Sequence, residues 1–306
     1  MARIKKGQTW GGDWTEEKLN AFSKYVNAYL TILNKYRDKY NWKLIYFDGF
    51  AGSGTDQHAP EMEDITNNLF LQELELSELY VPSDSEVYKG AAERVLSVQQ
   101  RGFDIYYFID KNENSTRSLE ERLSKFKSAH TLSFRCGDAN DMLQKMSEFM
   151  NTSQGRKHKA LVLLDPFGMQ VSWRSIINFK DTGTDFWILV PTGVIVNRLL
   201  DRKGELRHID KLKDFFGLNE QEIRSYFYQY RQEMTLFGET DIIEKVKEPI
   251  GKIAQLYLER LKTVFTYVIP EPLVLFNNMN VPIYHFVFAS NNETAVKIAK
   301  EIIGKK

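Results

Sequence analysis

Between Lys43 and Pro191 the chain repeats one alternation: a short apolar run, then a stretch with apolar residues at helical spacing. The runs are KLIYFD (Lys43 to Asp48), DIYYFID (Asp104 to Asp110), TLSFRCGDA (Thr131 to Ala139), KALVLLDPFG (Lys159 to Gly168) and TDFWILVP (Thr184 to Pro191). Each is short, apolar and bounded by turn residues, so each reads as a strand. Strands separated by helices pair in parallel, and the intervening helices cover both faces of the sheet. The expected class is therefore α/β, with a doubly wound, mostly parallel sheet.

The flanking segments complete the outline. Ahead of the first strand, Leu19, Phe22, Val26, Tyr29, Leu30 and Leu33 recur at helical spacing, which predicts a helix from Thr15 to about Tyr36. A loop-rich section follows the first strand, from Thr55 to about Val87, and then a helix from about Tyr88 to Gln100. From Thr192 to about Lys262 the text is charged and helical with no strand signal, which predicts an inserted helical subdomain. Extended patterns return at FTYVIP, EPLVLFN and IYHFVFAS, and the last two predict a hairpin at one sheet edge. The expected domains are an N-terminal helical segment (1–42), a sheet domain (43–191 with 263–306) and the inserted subdomain (192–262).

In open α/β sheets ligands sit outside the carboxyl ends of the strands. Four of the strands end in an acid or an acidic turn: Asp48, Asp110, Asp138 and Asp165. An aspartate in such a place also caps a helix or opens a turn. All four on one edge is the more informative fact. The first strand runs into DGFAGSG, where Gly49, Gly52 and Gly54 free the backbone for a tight turn or close approach to a ligand. The motif is neither a dinucleotide fingerprint nor a P-loop, because no helix follows promptly and no Walker lysine is present. An acid after the second strand can accept ribose hydroxyls, and one after the third can meet an exocyclic amine. A glycine turn with these acids and no phosphate device suits an unphosphorylated nucleoside such as S-adenosylmethionine. The expected cofactor contacts are Asp48, Gly49, Phe50, Ala51, Gly52, Gly54, Asp110, Lys111, Asp138 and Ala139. After the fourth strand, Asp165, Pro166 and Phe167 offer acceptors, a fixed backbone and a flat apolar ring. These three are the candidate catalytic residues, holding a planar group that bears an amine; an ordinary proline turn is the alternative.

FDGFAGSGT and LLDPFG, with acids after the second and third strands, resemble a class I S-adenosylmethionine-dependent methyltransferase. The first motif is similar to the DPFAGSGT of enzymes that methylate exocyclic amines in DNA. The second resembles their DPPY, and still more the DPFG of tRNA guanine dimethyltransferases. Together, DWTEEKLNAFSKYVNAYLTIL, YFDGFAGSG and YHFVFASNNETAVKIAKEI resemble the three-Cys-motif partner protein family, TcmP, over nearly the whole chain. The resemblance implies a seven-stranded Rossmann-like methyltransferase sheet with a C-terminal antiparallel edge strand. It also implies a partner protein with a three-cysteine, radical-S-adenosylmethionine-like motif, often from phage-related loci. It supplies no substrate. DPFG lacks the second proline and terminal aromatic of DPPY, so Phe167 must serve in their place, and Gly49 replaces a proline in the first motif.

Other features carry less. Lys and Arg (41) balance Asp and Glu (41), so net charge gives no electrostatic footprint for nucleic acid. The single cysteine, Cys136, excludes an internal disulfide framework and reads as a small buried residue. The five histidines are scattered without metal-ligand spacing. YFYQYRQEMTLF (Tyr226 to Phe237) reads as a helix packing its rings inward or as a base-stacking cluster. The mixed charges from Arg198 to Lys213 read as a solvated face or a nucleic-acid contact. The acidic loop from Thr55 to Val87 lies where a lid would. MARIKKGQTWGGDW has no apolar core after it, and no apolar run is long enough to span a bilayer, so the cytoplasm is the default expectation. Three functions follow: transfer of a methyl group to an amine of a base or nucleoside, a cofactor-holding partner module without turnover, and binding of another adenosine ligand such as a dinucleotide.

Overall fold

The computed structural model describes residues 12–53, 90–235 and 238–304. Its elements are α1 (Gly12–Tyr40), β1 (Lys43–Asp48), α2 (Ala91–Leu96), β2 (Ile105–Asp110), α3 (Glu113–Leu123), β3 (Leu132–Cys136), α4 (Ala139–Met150), β4 (His158–Leu164), α5 (Trp173–Ile176) and β5 (Thr184–Val190). They continue with α6 (Ile209–Phe216), α7 (Glu220–Phe227), β6 (Tyr228–Thr235), β7 (Gly238–Lys245), α8 (Pro249–Leu261), β8 (Tyr267–Val268), β9 (Leu273–Phe276), β10 (Pro282–Ser290) and α9 (Glu293–Gly304).

The main sheet runs β3-β2-β1-β4-β5-β10, with β8 and β9 both paired to β10. β1 to β5 are parallel, and β10 lies antiparallel to β5. Because β5 occupies one side of β10 along 285–289, β8 and β9 share the other side. The class and the late hairpin are thus as the sequence predicts. The chain moves outward from β1 to β2 and β3, then crosses back to β4 on the other flank. β1 and β4 therefore border the point where the strand order reverses.

Period-two alternation divides the strands between two cores. Ile45, Phe47, Ala160, Val162, Leu164, Phe186, Ile188 and Val190 face one side, with α4, α5 and the 196–265 segment. Leu44, Tyr46, Leu161, Leu163, Trp187, Leu189, Phe286 and Phe288 face the other, with α1, α2, α3 and α9. α1 is longer than its pattern predicts, 29 residues, and buries Phe22, Tyr25, Val26 and Leu30.

Two expectations fail in the region after β5. It contains a β-hairpin, β6 with β7, and Tyr228 to Thr235 is strand, not helix. Aromatic residues at alternate positions, Tyr228 and Tyr230, with Ile242 and Ile243 on the partner strand, favour the pleat over a helix. Leu212, Phe216, Ile223, Phe227 and Tyr257 of this region join the cluster beneath the sheet.

Candidate functional site

Asp48, Asp110, Asp138 and Asp165 stand at or just beyond the carboxyl ends of β1, β2, β3 and β4, on one edge of the sheet. Their surroundings differ.

The turn after β1 bends back over β2. Ala51 N–H donates to the Ile109 carbonyl (2.9 Å), and Gly52 N–H donates to Asp110 Oδ2 (3.0 Å). Gly52 has φ +61°, and a Cβ built there meets nothing within 4 Å. Its conformation needs glycine, and the space above it is open. Gly49 is crowded instead: a Cβ there would lie 2.7 Å from Leu164 Cδ2. Phe50 and Ala51 are half-buried. Gly54 lies outside the described residues, as does the acidic loop.

Asp110 Oδ1 also accepts Asn112 N–H (2.8 Å). Both its oxygens are engaged by backbone, and each keeps a lone pair for a further donor. Asp138 is the N-cap of α4, accepting Asn140 N–H at 2.8 Å; its Oδ2 lies 3.8 Å from the exposed Lys111 ammonium. The capping role of this acid is thus real, and one oxygen faces outward. Ala139, the first residue of α4, is buried.

Asp48 turns inward. Only 2% exposed, it accepts Tyr46 O–H (3.2 Å) and Phe50 N–H (3.3 Å). Burial, and next the nearby Asp165 carboxylate, push its pKa up to about 7. Both its oxygens are engaged within the protein, one by the Tyr46 hydroxyl and one by the Phe50 amide. Tyr46 lies on the same strand face two residues earlier, and that hydroxyl draws the carboxyl in.

Asp165 has a partner that motif reading missed. Lys18 Nζ of α1 lies 2.5 Å from Asp165 Oδ2, with the two side chains 6% and 23% exposed. The signal was present in the sequence: Trp14, Lys18 and Phe22 are spaced four apart, which puts a lysine inside an apolar stripe. Lys18 also lies over the Trp14 ring (5.5 Å), and Trp14 stacks on Tyr284 of β10 (5.2 Å). Burial, with Asp165 adding, raises the Tyr284 hydroxyl to about 12. Pro166 is buried, while Phe167 is 72% exposed at the mouth of this group.

Cys136 is exposed, contrary to its expected burial, because β3 is the outermost strand; its Sγ approaches the Lys111 carbonyl (3.5 Å). A cavity of about 680 Å³ opens at the opposite edge, among Trp42, Lys159, Asp185 and Asn292. Asp185 is spent there on Tyr25 O–H (2.7 Å) and Ser290 O–H (2.5 Å), so its charge is not aimed into the hollow. Among the described residues no helix is long and apolar enough to cross a membrane.

The chain matches no protein-family model and no curated protein. Among solved structures it is similar to a Legionella pneumophila protein described as DUF519, at 16% identity over 93% of this chain and 99% of that one (TM-score 0.43). It is also similar to an S-adenosylmethionine-dependent methyltransferase from Clostridium acetobutylicum, at 12% identity over 89% of this chain and 92% of that one (TM-score 0.31).

Proposed function

We propose that this protein is an S-adenosylmethionine-dependent methyltransferase acting on an amine of a nucleobase or nucleoside. The observation that carries this reading is the bond from Gly52 N–H to Asp110 Oδ2. It ties the tip of β2 to a left-handed bend with open space beside it, at the carboxyl edge of the sheet. That is where open α/β sheets take ligands.

In this reading Gly52, Phe50, Asp110 and the outward oxygen of Asp138 hold the cofactor. When bound, it supplies an electrophilic methyl group on a sulfonium. Asp165 and Phe167 hold the acceptor: the carboxylate takes an N–H of the amine and the exposed ring packs against its flat face. Lys18 engages Oδ2 of Asp165, so Oδ1 is the oxygen left for the acceptor. Asp48 stands behind it as a carboxyl that changes protonation near neutral pH. Alignment is the main contribution, and in well-oriented systems it reaches roughly 7–11 kcal/mol.

Calorimetric titration with S-adenosylhomocysteine and with oxidised nicotinamide dinucleotide tests the cofactor assignment. Tight binding of the dinucleotide alone overturns it. Turnover with a labelled methyl donor on total nucleic acid and on nucleosides tests the acceptor. Asp165→Ala should abolish transfer and keep S-adenosylhomocysteine affinity; loss of both overturns the division of roles.

A further inference from the structure

The segment that follows β5 carries positive charge that the site above does not use. Arg198, Arg202 and Lys203 are exposed, and none forms an ion pair among the described residues. The acids beside them are occupied. Asp201 accepts the backbone N–H groups of Lys203, Glu205 and Leu206; Glu205 pairs with Arg207 (3.1 Å), and Glu220 with Arg224 (2.7 Å).

The β6–β7 hairpin, with α7 leading into it, clamps this segment. Tyr228 O–H donates to the Asp201 carbonyl (2.8 Å), Arg224 Nη1 to the Gly204 carbonyl (2.6 Å), and Lys245 Nζ to Asn197 O and Oδ1 (2.7 and 2.8 Å). Burial lowers the Lys245 ammonium to about 8; Asp201 opposes the fall and Arg202 adds to it. Pairing sets Tyr228 opposite Lys245 and Tyr230 opposite Ile243, so these four share the hairpin face that meets the segment. Further out on that face Tyr230 is 63% and Met234 74% exposed.

The segment begins beside the site. A Cβ on Gly168, next to Phe167, would come 2.9 Å from Ile195 Cδ1, and Ile195 stands three residues before Arg198. Phe167, Arg198, Arg202, Lys203 and Tyr230 are thus all exposed, and the three cations form no ion pair among the described residues. Overall neutrality gives no long-range attraction, so a polyanion must be held by a local patch of this kind.

We propose that the Arg198–Lys203 segment and the exposed outer end of the same β6–β7 hairpin face form a binding surface for single-stranded nucleic acid. The cations track its phosphates and Tyr230 stacks an unpaired base. The proposal rests on the methyltransferase reading only in making the polymer the bearer of the acceptor amine.

The test is fluorescence anisotropy with a labelled single-stranded 20-mer, in RNA and DNA versions, over a series of KCl concentrations. Binding should weaken linearly in log–log form with salt. The triple variant R198A/R202A/K203A should weaken it and reduce the slope by about 2, the value for three phosphate contacts on a single strand. R198K/R202K/K203R, which keeps the charge, should bind as the wild type does. Tyr230→Ala should weaken binding roughly five- to a hundredfold and leave the slope unchanged. No binding at low salt, wild-type affinity in the Tyr230 variant, or equal displacement by poly-glutamate would each overturn the proposal. S-adenosylhomocysteine titration of the same samples separates the two readings. Cofactor binding without oligonucleotide binding removes the surface alone, and the reverse result supports the surface while removing the cofactor assignment.

Discussion

Lys18 Nζ lies 2.5 Å from Asp165 Oδ2, so the helix ahead of the sheet supplies the counter-ion for the acid after β4. The pair is mostly withdrawn from water, and removing one partner leaves a charge without compensation. Lys18→Met should cost about 2–4 kcal/mol. Much of that should return in the double variant with Asp165→Asn, since two neutral groups replace the pair. Urea denaturation of the two single variants and the double variant measures the coupling. A purely additive double variant contradicts this account.

Gly52 tests the open bend. Gly52→Ala has no clash to relieve, so its cost is the left-handed backbone alone, about 1–2 kcal/mol. S-adenosylhomocysteine affinity should fall, because the new methyl group projects into the space proposed for the cofactor. Gly49→Ala meets only the end of the Leu164 side chain, so it should cost stability with little change in affinity. Thermal melts and calorimetry together distinguish the two positions.

Asp48 and Asp185 set a direction for pH. Burial raises them from an ordinary 3.8 to about 7 and about 6. Over that window the native state holds protons that the unfolded chain has lost, so these two groups make stability fall as pH rises from about 4 to about 7. Asp48→Asn should flatten the upper part of the fall, and Asp185→Asn the part below about pH 6. Denaturation midpoints from pH 5 to 8 check this. A wild-type protein whose stability rises through the window, with Asp48→Asn unchanged in slope, would refute it.

Cys136 should react with a thiol reagent in the native protein, with no denaturant, because it is exposed at the end of the outermost strand. Release of colour only after unfolding would show that the thiol is covered.

Legibility in the sequence followed physical scale. KALVLLD and TDFWILV announce themselves as strands because both faces are buried, and α1 does so through its apolar stripe. The edge tips of β1 to β4 could be named because parallel strands put their ends together. What escaped depended on contacts far apart in sequence. Asp165 meets Lys18 across 147 positions, and no local pattern reveals such a pairing, although the lysine amid aromatic neighbours was a clue. Asp48 is a local case: its own strand neighbour Tyr46 hydrogen-bonds its carboxyl, which the motif reading did not anticipate. The β6–β7 hairpin was hidden by its polar residues, which read equally as a charged helix face.

The last position of the sheet is filled by two fragments, one of two residues and one of four, with Pro270 and Pro272 between them. Proline brings no N–H, and neither fragment is long enough to offer a continuous row of free backbone groups. A neighbouring copy therefore finds no template on that flank, and self-association by strand addition is blocked there.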